Sequence, residues 1–184
     1  YLYLEEPAAL LAGVQMSVLE FHVWGSRIDE LEKPERIIFD LDPDEGLGFE
    51  HVRDAATDIR DALAEWGLKS FPMVTGGKGV HVIAPLTPSA EWPLVKDFCQ
   101  AFAKTLEREQ PDRFTANIRK AKREGRVFVD YFRNERGSTA IAPFSTRARK
   151  GAPVAAPIGW DELGRLKAGN AFSLADAADR AAEA

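Results

Sequence analysis

The chain has 184 residues, of which 45% are hydrophobic, 29% charged and 10% aromatic. This length predicts one compact domain with its own hydrophobic core, and the composition excludes a disordered or low-complexity chain. A single cysteine, Cys99, excludes an intrachain disulfide and a cysteine zinc cluster. No apolar run reaches the roughly 18–20 residues that cross a bilayer, and no signal-peptide pattern opens the sequence. We therefore expect a cytoplasmic protein that does not contact a membrane.

The formal net charge of −5 conceals an uneven distribution of charge along the chain. Residues 113–150 contain eleven Lys or Arg and three acidic residues, a local charge of +8, whereas the remainder carries 13 basic and 26 acidic residues, or −13. A basic stretch within an acidic protein is typical of a surface that binds phosphate-bearing ligands. A solvated charged face explains the same pattern, so the chemistry of the neighbouring residues has to decide.

Hydrophobic spacing predicts alternating helices and strands along the chain. Apolar residues at helical spacing indicate helices over 49–66 and 92–109, and Cys99 falls on the apolar side of the second. Shorter helices are predicted at 7–14 and 160–166, and strands at 18–24, 36–41, 71–74, 80–85, 126–132 and 139–142. Residues 27–36 and 148–159 are predicted loops, the basic segment 113–126 carries a short helix, and residues 172–184 form an Ala/Asp-rich tail. This mixture predicts an α/β or α+β fold in one layered domain.

Acidic residues end two apolar, strand-like runs. Asp40 and Asp42 lie two residues apart at the end of the run 36–41, so their side chains share one face of a strand. Two carboxylates that close repel each other unless one is protonated or a cation bridges them, and a hard divalent ion is the natural bridge. Asp130 ends another apolar run, 127–129. Two acids on one strand and a third on its neighbour are the usual layout of a two-metal site for nucleotidyl transfer, although solvated strand-end acids give the same pattern.

A glycine-rich segment, 75–79, joins two predicted strands. Its three glycines allow backbone amides to approach an anion, while Thr75 and Lys78 supply a hydroxyl and a positive charge. The spacing differs from a Walker loop, and no helix follows directly. His81 lies early in the next strand, where a lone histidine is usually structural. Beside a phosphate-binding loop we interpret it as a triphosphate contact, and a hairpin without a ligand is the alternative.

Downstream of Asp130 the chain carries side chains suited to phosphate oxygens, because an arginine donates two hydrogen bonds in a fixed geometry. These candidates are Arg133, Arg136, Ser138, Thr139, Arg147 and Arg149. Arg147 and Arg149 are two residues apart, so in a strand they face the same side and can hold one anion. His22, in the predicted strand 18–24, either joins them or packs beside Trp24, and its position alone leaves both interpretations open. His51 is predicted at the surface.

Three of these motifs, in this order, resemble the polymerase domain of bacterial ATP-dependent DNA ligase D, which belongs to the archaeo-eukaryotic primase superfamily. They are Phe-Asp-Leu-Asp-Pro at 39–43, Thr-Gly-Gly-Lys-Gly-Val-His-Val at 75–82 and Val-Phe-Val-Asp-Tyr at 127–131. The flanking His-Val-Trp at 22–24, Ala-Pro-Phe-Ser-Thr-Arg-Ala-Arg at 142–149 and Pro-Ile-Gly-Trp-Asp-Glu-Leu at 157–163 are also similar to the family. The resemblance covers most of the chain, roughly residues 6–175.

The resemblance implies a primase-like two-layer fold, with a central mixed β-sheet flanked by helices in a single domain. It also implies a template-dependent polymerase that fills gaps and ends in nonhomologous end joining and often prefers ribonucleotides. Asp40, Asp42 and Asp130 are implied to hold two Mn²⁺ or Mg²⁺ ions, with a nucleoside triphosphate as the substrate. By position, the residues implied to meet this nucleotide are His22, Thr75, Lys78, His81, Arg133, Arg147 and Arg149.

The implied partners are DNA ends with gaps or overhangs and, from the family alone, Ku and the ligase and nuclease domains of the same polypeptide. The implied location is the bacterial cytoplasm, at the nucleoid when the protein acts on DNA. The family's polymerase domain usually extends about a hundred residues further towards the N terminus, where basic residues grip a downstream 5′-phosphate. We therefore expect residues 1–184 to lack that part of the domain.

Two alternatives remain at the level of sequence. The first is a non-catalytic DNA-end-binding module, or an inactive fragment of such a polymerase, which is consistent with a missing N-terminal part. The second is a phosphohydrolase of the haloacid dehalogenase type, because Ile-Ile-Phe-Asp-Leu-Asp at 37–42 is similar to its nucleophile motif. Against the second, Pro43 and Asp44 stand where Gly-Thr usually follows, and no late Asp-Asp pair occurs.

Overall fold

A computed structural model describes residues 2–183 of the chain. Its helices are α1 (Pro7–Gln15), α2 (Phe49–Glu65), α3 (Trp92–Glu109), α4 (Trp160–Leu163) and α5 (Leu174–Glu183), with one-turn 3₁₀ helices at Lys120–Lys122 and Phe132–Asn134. Its strands are β1 (His22–Val23), β2 (Arg36–Pro43), β3 (Phe71–Val74), β4 (Val80–Pro85), β5 (Phe114–Thr115), β6 (Val127–Asp130), β7 (Ala140–Ile141) and β8 (Ala156–Pro157). The bounds predicted for β3, β4 and α3 are confirmed to the residue.

Within the described residues, a mixed sheet has the strand order β5-β6-β2-β4-β3-β8. Strand β2 lies near its centre, antiparallel to β4 on one side and to β6 on the other, while β5 runs parallel to β6. Strands β1 and β7 form a separate antiparallel pair. The mixed sheet with its helices confirms the predicted α/β (α+β) class.

Alternate residues of β2 face opposite sides of the sheet. Ile37, Phe39 and Leu41 are buried in the core that α2 and α3 form against one side. The ring of Phe39 packs on that of Phe102 in α3, with centroids 4.8 Å apart. Burying side chains of this size contributes about 1.5–3 kcal/mol each. The helices therefore cover one face of the sheet, and Asp40 and its even-numbered neighbours project from the other.

The strand predicted at 18–24 is wrong except for His22–Val23. Phe21, just before β1, donates its N–H to the hydroxyl of Ser145 at 2.8 Å rather than to a strand. Leu19 is 60% exposed, so the apolar alternation in this segment does not mark a buried face. A side chain from a distant loop holds the segment, and local spacing carries no trace of that contact.

The tail predicted at 172–184 is also wrong, because residues 174–183 form α5. Ser173 begins the helix with a capping box: its N–H and hydroxyl donate to the Asp176 carboxylate at 2.8 and 2.6 Å, and its Oγ accepts the Asp176 N–H at 3.3 Å. Arg180 then forms hydrogen bonds to residues of α4 and β8. The Ser-x-x-Asp spacing is a signal that the sequence does carry.

Two further predictions need correction. Trp66, placed on the apolar side of the 49–66 helix, caps the end of α2 with 71% of its surface exposed. The loop predicted at 148–159 contains β8, which extends the sheet by pairing with β3. Across residues 2–183, every helix is too short or too polar to span a membrane.

Candidate active site

Three acidic side chains lie together on the face of the sheet opposite α2 and α3. The pairing of β2 places Asp40 directly between Asp130 of β6 and His81 of β4. Asp42 follows on the same face, two residues along β2. The side chains of Asp40 and Asp130 are 11% and 12% exposed, whereas that of Asp42 is 47% exposed. Strand register, rather than nearness in sequence, thus brings Asp130 to the other two acids.

Positive and polar groups surround the buried pair. Arg133 places its Nη2 3.2 Å from Oδ2 of Asp40 and its Nε 3.6 Å from Oδ2 of Asp130. His81 places Nε2 3.4 Å from the same Asp40 oxygen, while its Nδ1 is buried without a hydrogen-bond partner. Asp130 also accepts the N–H of Phe132 at 2.8 Å. Arg133 therefore touches the carboxylates directly, in the place where a cation is expected.

The three acids differ in how readily they ionise. Burial disfavours the charge of Asp40, but His81 and Arg133 outweigh it and hold the pKa of Asp40 below its usual value. Burial and the negative charges of Asp40 and Asp130 raise the pKa of Asp42 to about 6. Burial, followed by the charge of Asp40, also raises the pKa of Asp130. The cluster therefore holds more negative charge than its neighbours neutralise.

Arg123 is a site residue that the sequence interpretation did not single out. Its Nη1 lies 4.0 Å from Oδ2 of Asp42, and its guanidinium stacks 3.8 Å above the ring of Phe128, the register partner of Asp42. Its only signal in the sequence is membership of the basic segment 113–126. The contact depends on the loop that returns to β6, which spacing alone does not reveal.

The glycine-rich loop 75–79 sits against the acids. Thr75 donates its hydroxyl to the carbonyl of Gly79 at 3.1 Å, which closes the loop on itself. A Cβ on Gly79 would lie 2.5 Å from the Leu41 carbonyl and 3.5 Å from Oδ1 of both Asp40 and Asp42. Glycine at this position therefore lets the loop backbone approach the carboxylates closely.

A second segment supports the loop from behind. Gly76 donates its N–H to the carbonyl of Gly169 at 3.0 Å. A Cβ on Gly169 would lie 2.8 Å from the Gly77 carbonyl and 2.9 Å from that of Gly79. Because both contacts are with backbone atoms, a side chain at 169 would displace the loop.

A cleft of about 570 Å³ opens beside the loop and the end of β2. Lys78, Arg149 and Lys150 give it positive charge, and Glu45 is its acidic member. Both Lys78 and Arg149 are solvent-exposed. The cleft thus combines cations with the backbone of a glycine-rich loop, which is the chemistry that binds phosphate groups.

Arg147 and His22 belong to one chain of contacts that ends at the loop. Arg147 donates to the carbonyl of Thr75 at 2.6 Å and to Oε1 of Glu20 at 3.1 Å, and His22 lies 2.9 Å from Oε2 of the same glutamate. The hydrogen bond with His22, aided by Arg147, lowers the pKa of Glu20 to about 2. The prediction that Arg147 and Arg149 share a strand face is wrong, because a turn bends the backbone between them.

The remaining candidates form contacts with other residues. Arg136 forms an ion pair with Glu32, Thr139 contributes only its carbonyl to Arg133, and exposed His51 pairs with Glu50. Cys99 is buried in α3, and burial raises the pKa of its thiol to about 12. The surface position of His51 and the core position of Cys99 are confirmed.

The three carboxylates are suitable ligands for a divalent cation, but their arrangement in the structure does not enclose one. Among residues 2–183, no three Asp, Glu, His or Cys side chains are gathered to enclose a metal ion. Arg133 occupies the space between Asp40 and Asp130, and half-exposed Asp42 points towards Arg123. Nonetheless, three carboxylates on one face with uncompensated charge are the oxygen donors that Mn²⁺ and Mg²⁺ prefer. The three carboxylates therefore fit such an ion when Arg133 and Arg123 move away from them.

Comparison with known proteins identifies the family. The model of the LigD primase-polymerase domain matches residues 1–184. The chain is 40% identical over 173 residues to the multifunctional non-homologous end joining protein LigD of Pseudomonas aeruginosa, covering 94% of this chain and 21% of that protein. It is 32% identical over 160 residues to the bifunctional LigD of Bacillus subtilis, covering 86% and 26% respectively. The chain thus spans about a fifth to a quarter of these relatives.

Solved structures agree. The fold matches the polymerase domain of Mycobacterium tuberculosis ligase D, solved in complex with DNA, with a TM-score of 0.85 and 33% identity. The match covers 95% of this chain and 63% of that one. The predicted resemblance is therefore confirmed, and the haloacid dehalogenase alternative gains no support. The chain belongs to the LigD primase-polymerase domain family.

Proposed function

We propose that this chain carries the catalytic face of a template-dependent nucleotidyltransferase that fills gaps and extends ends in nonhomologous end joining. The observation that carries the proposal is the row of carboxylates on β2 and β6, placed against a glycine loop and a basic cleft. Nucleotidyl transfer needs these parts together: anionic ligands, a grip on a triphosphate and access for a 3′-hydroxyl.

Asp40, Asp42 and Asp130 would hold two Mn²⁺ or Mg²⁺ ions. Such ions, when bound, activate an attacking hydroxyl and stabilise the charge of the leaving pyrophosphate. The pKa of about 6 for Asp42 places this acid in the ionised form above that pH, ready to act as a ligand. Arg133 and Arg123 would bind the carboxylates in the absence of metal ions. When the ions bind, each arginine would become available to a phosphate oxygen.

The nucleotide would lie between the acids and the cleft. Lys78 and Arg149 line the cleft and would bind the β- and γ-phosphates, with the loop amides of Gly77 and Lys78. His81, whose buried Nδ1 lacks a partner, would donate to a phosphate or sugar oxygen beside Asp40. Arg147 and His22 would act on the loop through Thr75 and Glu20.

The basic stretch 113–150 would face the nucleic acid. Its charge of +8 suits a phosphate backbone, and the solved relative is described in complex with DNA. A preference for ribonucleotides, contact with Ku, cooperation with ligase and nuclease domains, and association with the nucleoid belong to the same proposal and come from the family.

Primer extension on a gapped duplex with a downstream 5′-phosphate tests the proposal. We expect templated addition with Mn²⁺ and each complementary ribo- or deoxynucleotide, abolished in the Asp40→Asn variant. Asp61→Asn is a matched control, because Asp61 is exposed on α2, the helix that packs on the opposite face. DNA binding without addition would instead support the non-catalytic module, and addition that survives in Asp40→Asn would exclude the assigned site.

A further inference from the structure

Strand β6 ends before it covers the full length of β2. The pairing between them runs only as far as Asp130 opposite Asp40, and the chain then turns into the 3₁₀ helix Phe132–Asn134. Ile38 lies two residues before Asp40, so its backbone N–H and C=O face the same edge of β2 as those of Asp40, the edge on the side of β6. Left without partners, these buried groups would each lose the hydrogen bond that they make with water in the unfolded chain.

The side-chain amide of Asn134 takes the place of the missing strand residue. Its Oδ1 accepts the N–H of Ile38 at 2.8 Å, and its Nδ2 donates to the Ile38 carbonyl at 2.7 Å and to the Tyr131 carbonyl at 2.9 Å. Asn134 is only 1% exposed, so water cannot substitute for these bonds. An amide offers an acceptor and donors side by side, as a backbone peptide does, whereas a carboxylate offers only acceptors.

The same short helix carries two groups that contact Asp40 and Asp130. The N–H of Phe132 holds Oδ1 of Asp130, and Arg133 reaches Oδ2 of both Asp40 and Asp130. Asn134, the next residue, is fastened to the strand that carries Asp40. A shift of this helix along β2 would therefore move the Asp130 carboxylate and Arg133 relative to Asp40.

We propose that Asn134 is a positioning residue that sets the spacing of the Asp40 and Asp130 carboxylates by fastening the helix after β6 to the backbone of β2. This inference rests on the proposed function, because the spacing matters for activity only if the two carboxylates share metal ions. The three hydrogen bonds of the Asn134 side chain are all with backbone groups.

The test compares two substitutions at 134 with a structural control. Asn134→Asp keeps the shape but turns acceptors towards the carbonyls of Ile38 and Tyr131, and Asn134→Ser keeps a smaller polar group. The control, Trp160→Phe, removes a different hydrogen bond from a side chain to the backbone, the 2.9 Å bond to the Ser70 carbonyl, towards the other edge of the sheet. All variants are compared with the wild-type chain by thermal unfolding and by Mn²⁺ titration followed by electron paramagnetic resonance.

We expect both Asn134 variants to weaken Mn²⁺ binding by about 10-fold or more, as supporting residues of metal ligands typically do. Trp160→Phe should lower the unfolding temperature without changing Mn²⁺ affinity. Unchanged Mn²⁺ affinity in folded Asn134 variants would overturn the proposal, and so would failure of both variants to fold, since the role would then be general to the fold. If the wild-type chain binds no Mn²⁺, the proposed function fails rather than the positioning role.

Discussion

The two faces of strand β2 are built from alternate residues of one short segment, yet they have opposite properties. Ile37, Phe39 and Leu41 lie in a dry core under α2 and α3. Asp40 and Asp42 lie on the other face, beside Asp130, the glycine loop and a basic cleft. One face supplies free energy of folding, whereas the other concentrates negative charge at a cost to it.

Alternate residues of β2 should therefore determine different properties: the odd-numbered residues stability, and the aspartates activity. Removing apolar volume from the core face should unfold the chain and lower activity only as a consequence. Removing a charge from the acidic face should stop the chemistry. At Asp42 and Asp130, whose pKa is raised, the fold should be as stable or more so, whereas at Asp40, whose pKa is lowered by His81 and Arg133, some stability should be lost. Substitutions at neighbouring positions of β2 should therefore have opposite effects on stability and on activity.

After the Asp40→Asn variant, the largest expected effect on activity comes from Asp42→Asn. We expect nucleotide addition to fall about 10⁴-fold, equivalent to about 5 kcal/mol of transition-state stabilisation, because a carboxylate proposed to bind the metal ions is lost. The pKa of Asp42 is raised from its ordinary value of 3.8 to about 6. The fold therefore loses stability as Asp42 ionises, when the pH rises from 3.8 through about 6. The variant should consequently be at least as stable as the wild type at pH 7. Rapid-quench assays and thermal unfolding measure both effects, and a normal rate would remove Asp42 from the site.

On the core face, Phe39→Ala should cost about 3–5 kcal/mol of unfolding free energy, because it leaves a cavity beside Phe102. Urea denaturation at pH 7 measures this loss. Activity per folded molecule should remain close to that of the wild type at low temperature. A variant that is stable but inactive would contradict the separation of the two faces.

A smaller effect is expected where the loop meets its support. Gly169→Ala should raise the KM for nucleotide about 10-fold, or about 1.4 kcal/mol, because its Cβ would push on the carbonyls of Gly77 and Gly79. Gly159→Ala is the matched control, since a Cβ there meets no atom within 4 Å. Steady-state kinetics of both variants measure the KM. Equal KM values would show that loop 75–79 accommodates the added Cβ without losing nucleotide binding.

The smallest effect is a pH-dependent one at Glu20. Its pKa is lowered to about 2, so its contacts with His22 and Arg147 stabilise the fold above its ordinary pKa of 4.5 and lose this effect as pH falls towards 2. Glu20→Gln should cost about 1 kcal/mol at pH 7 and progressively less below pH 4.5, since Glu20 is partly exposed. Urea unfolding at several pH values checks this, and a constant difference would mean that charge is not the cause.

Sequence spacing predicted the parts of this molecule that follow a local rule. The two-residue period of β2 placed Asp40 and Asp42 on one face, and the glycine spacing of 75–79 marked the loop. Residue patterns also grouped Asp130 with these two acids, Lys78 with the loop and Arg149 with the phosphate-binding candidates, and the family resemblance joined them in one site. The structure places them around the loop and the acids.

The remainder depends on contacts between distant segments. Asn134 replaces a strand residue only because β6 ends at Asp130, and Arg123 reaches Asp42 only because a loop returns across the sheet. Residues before His22 look like a strand but are held by Ser145, more than a hundred positions away. By contrast, the capping box at Ser173 is a local signal that the sequence interpretation missed.

Counting the Mn²⁺ ions bound per chain shows whether the carboxylates of β2 and β6 hold metal ions. Electron paramagnetic resonance with a non-hydrolysable nucleotide would be applied to the wild type, Asp42→Asn and the control Asp61→Asn. We expect two ions in the wild type and in Asp61→Asn, and fewer in Asp42→Asn. An equal number of ions in all three proteins would show that the acidic face of β2 is not the metal site.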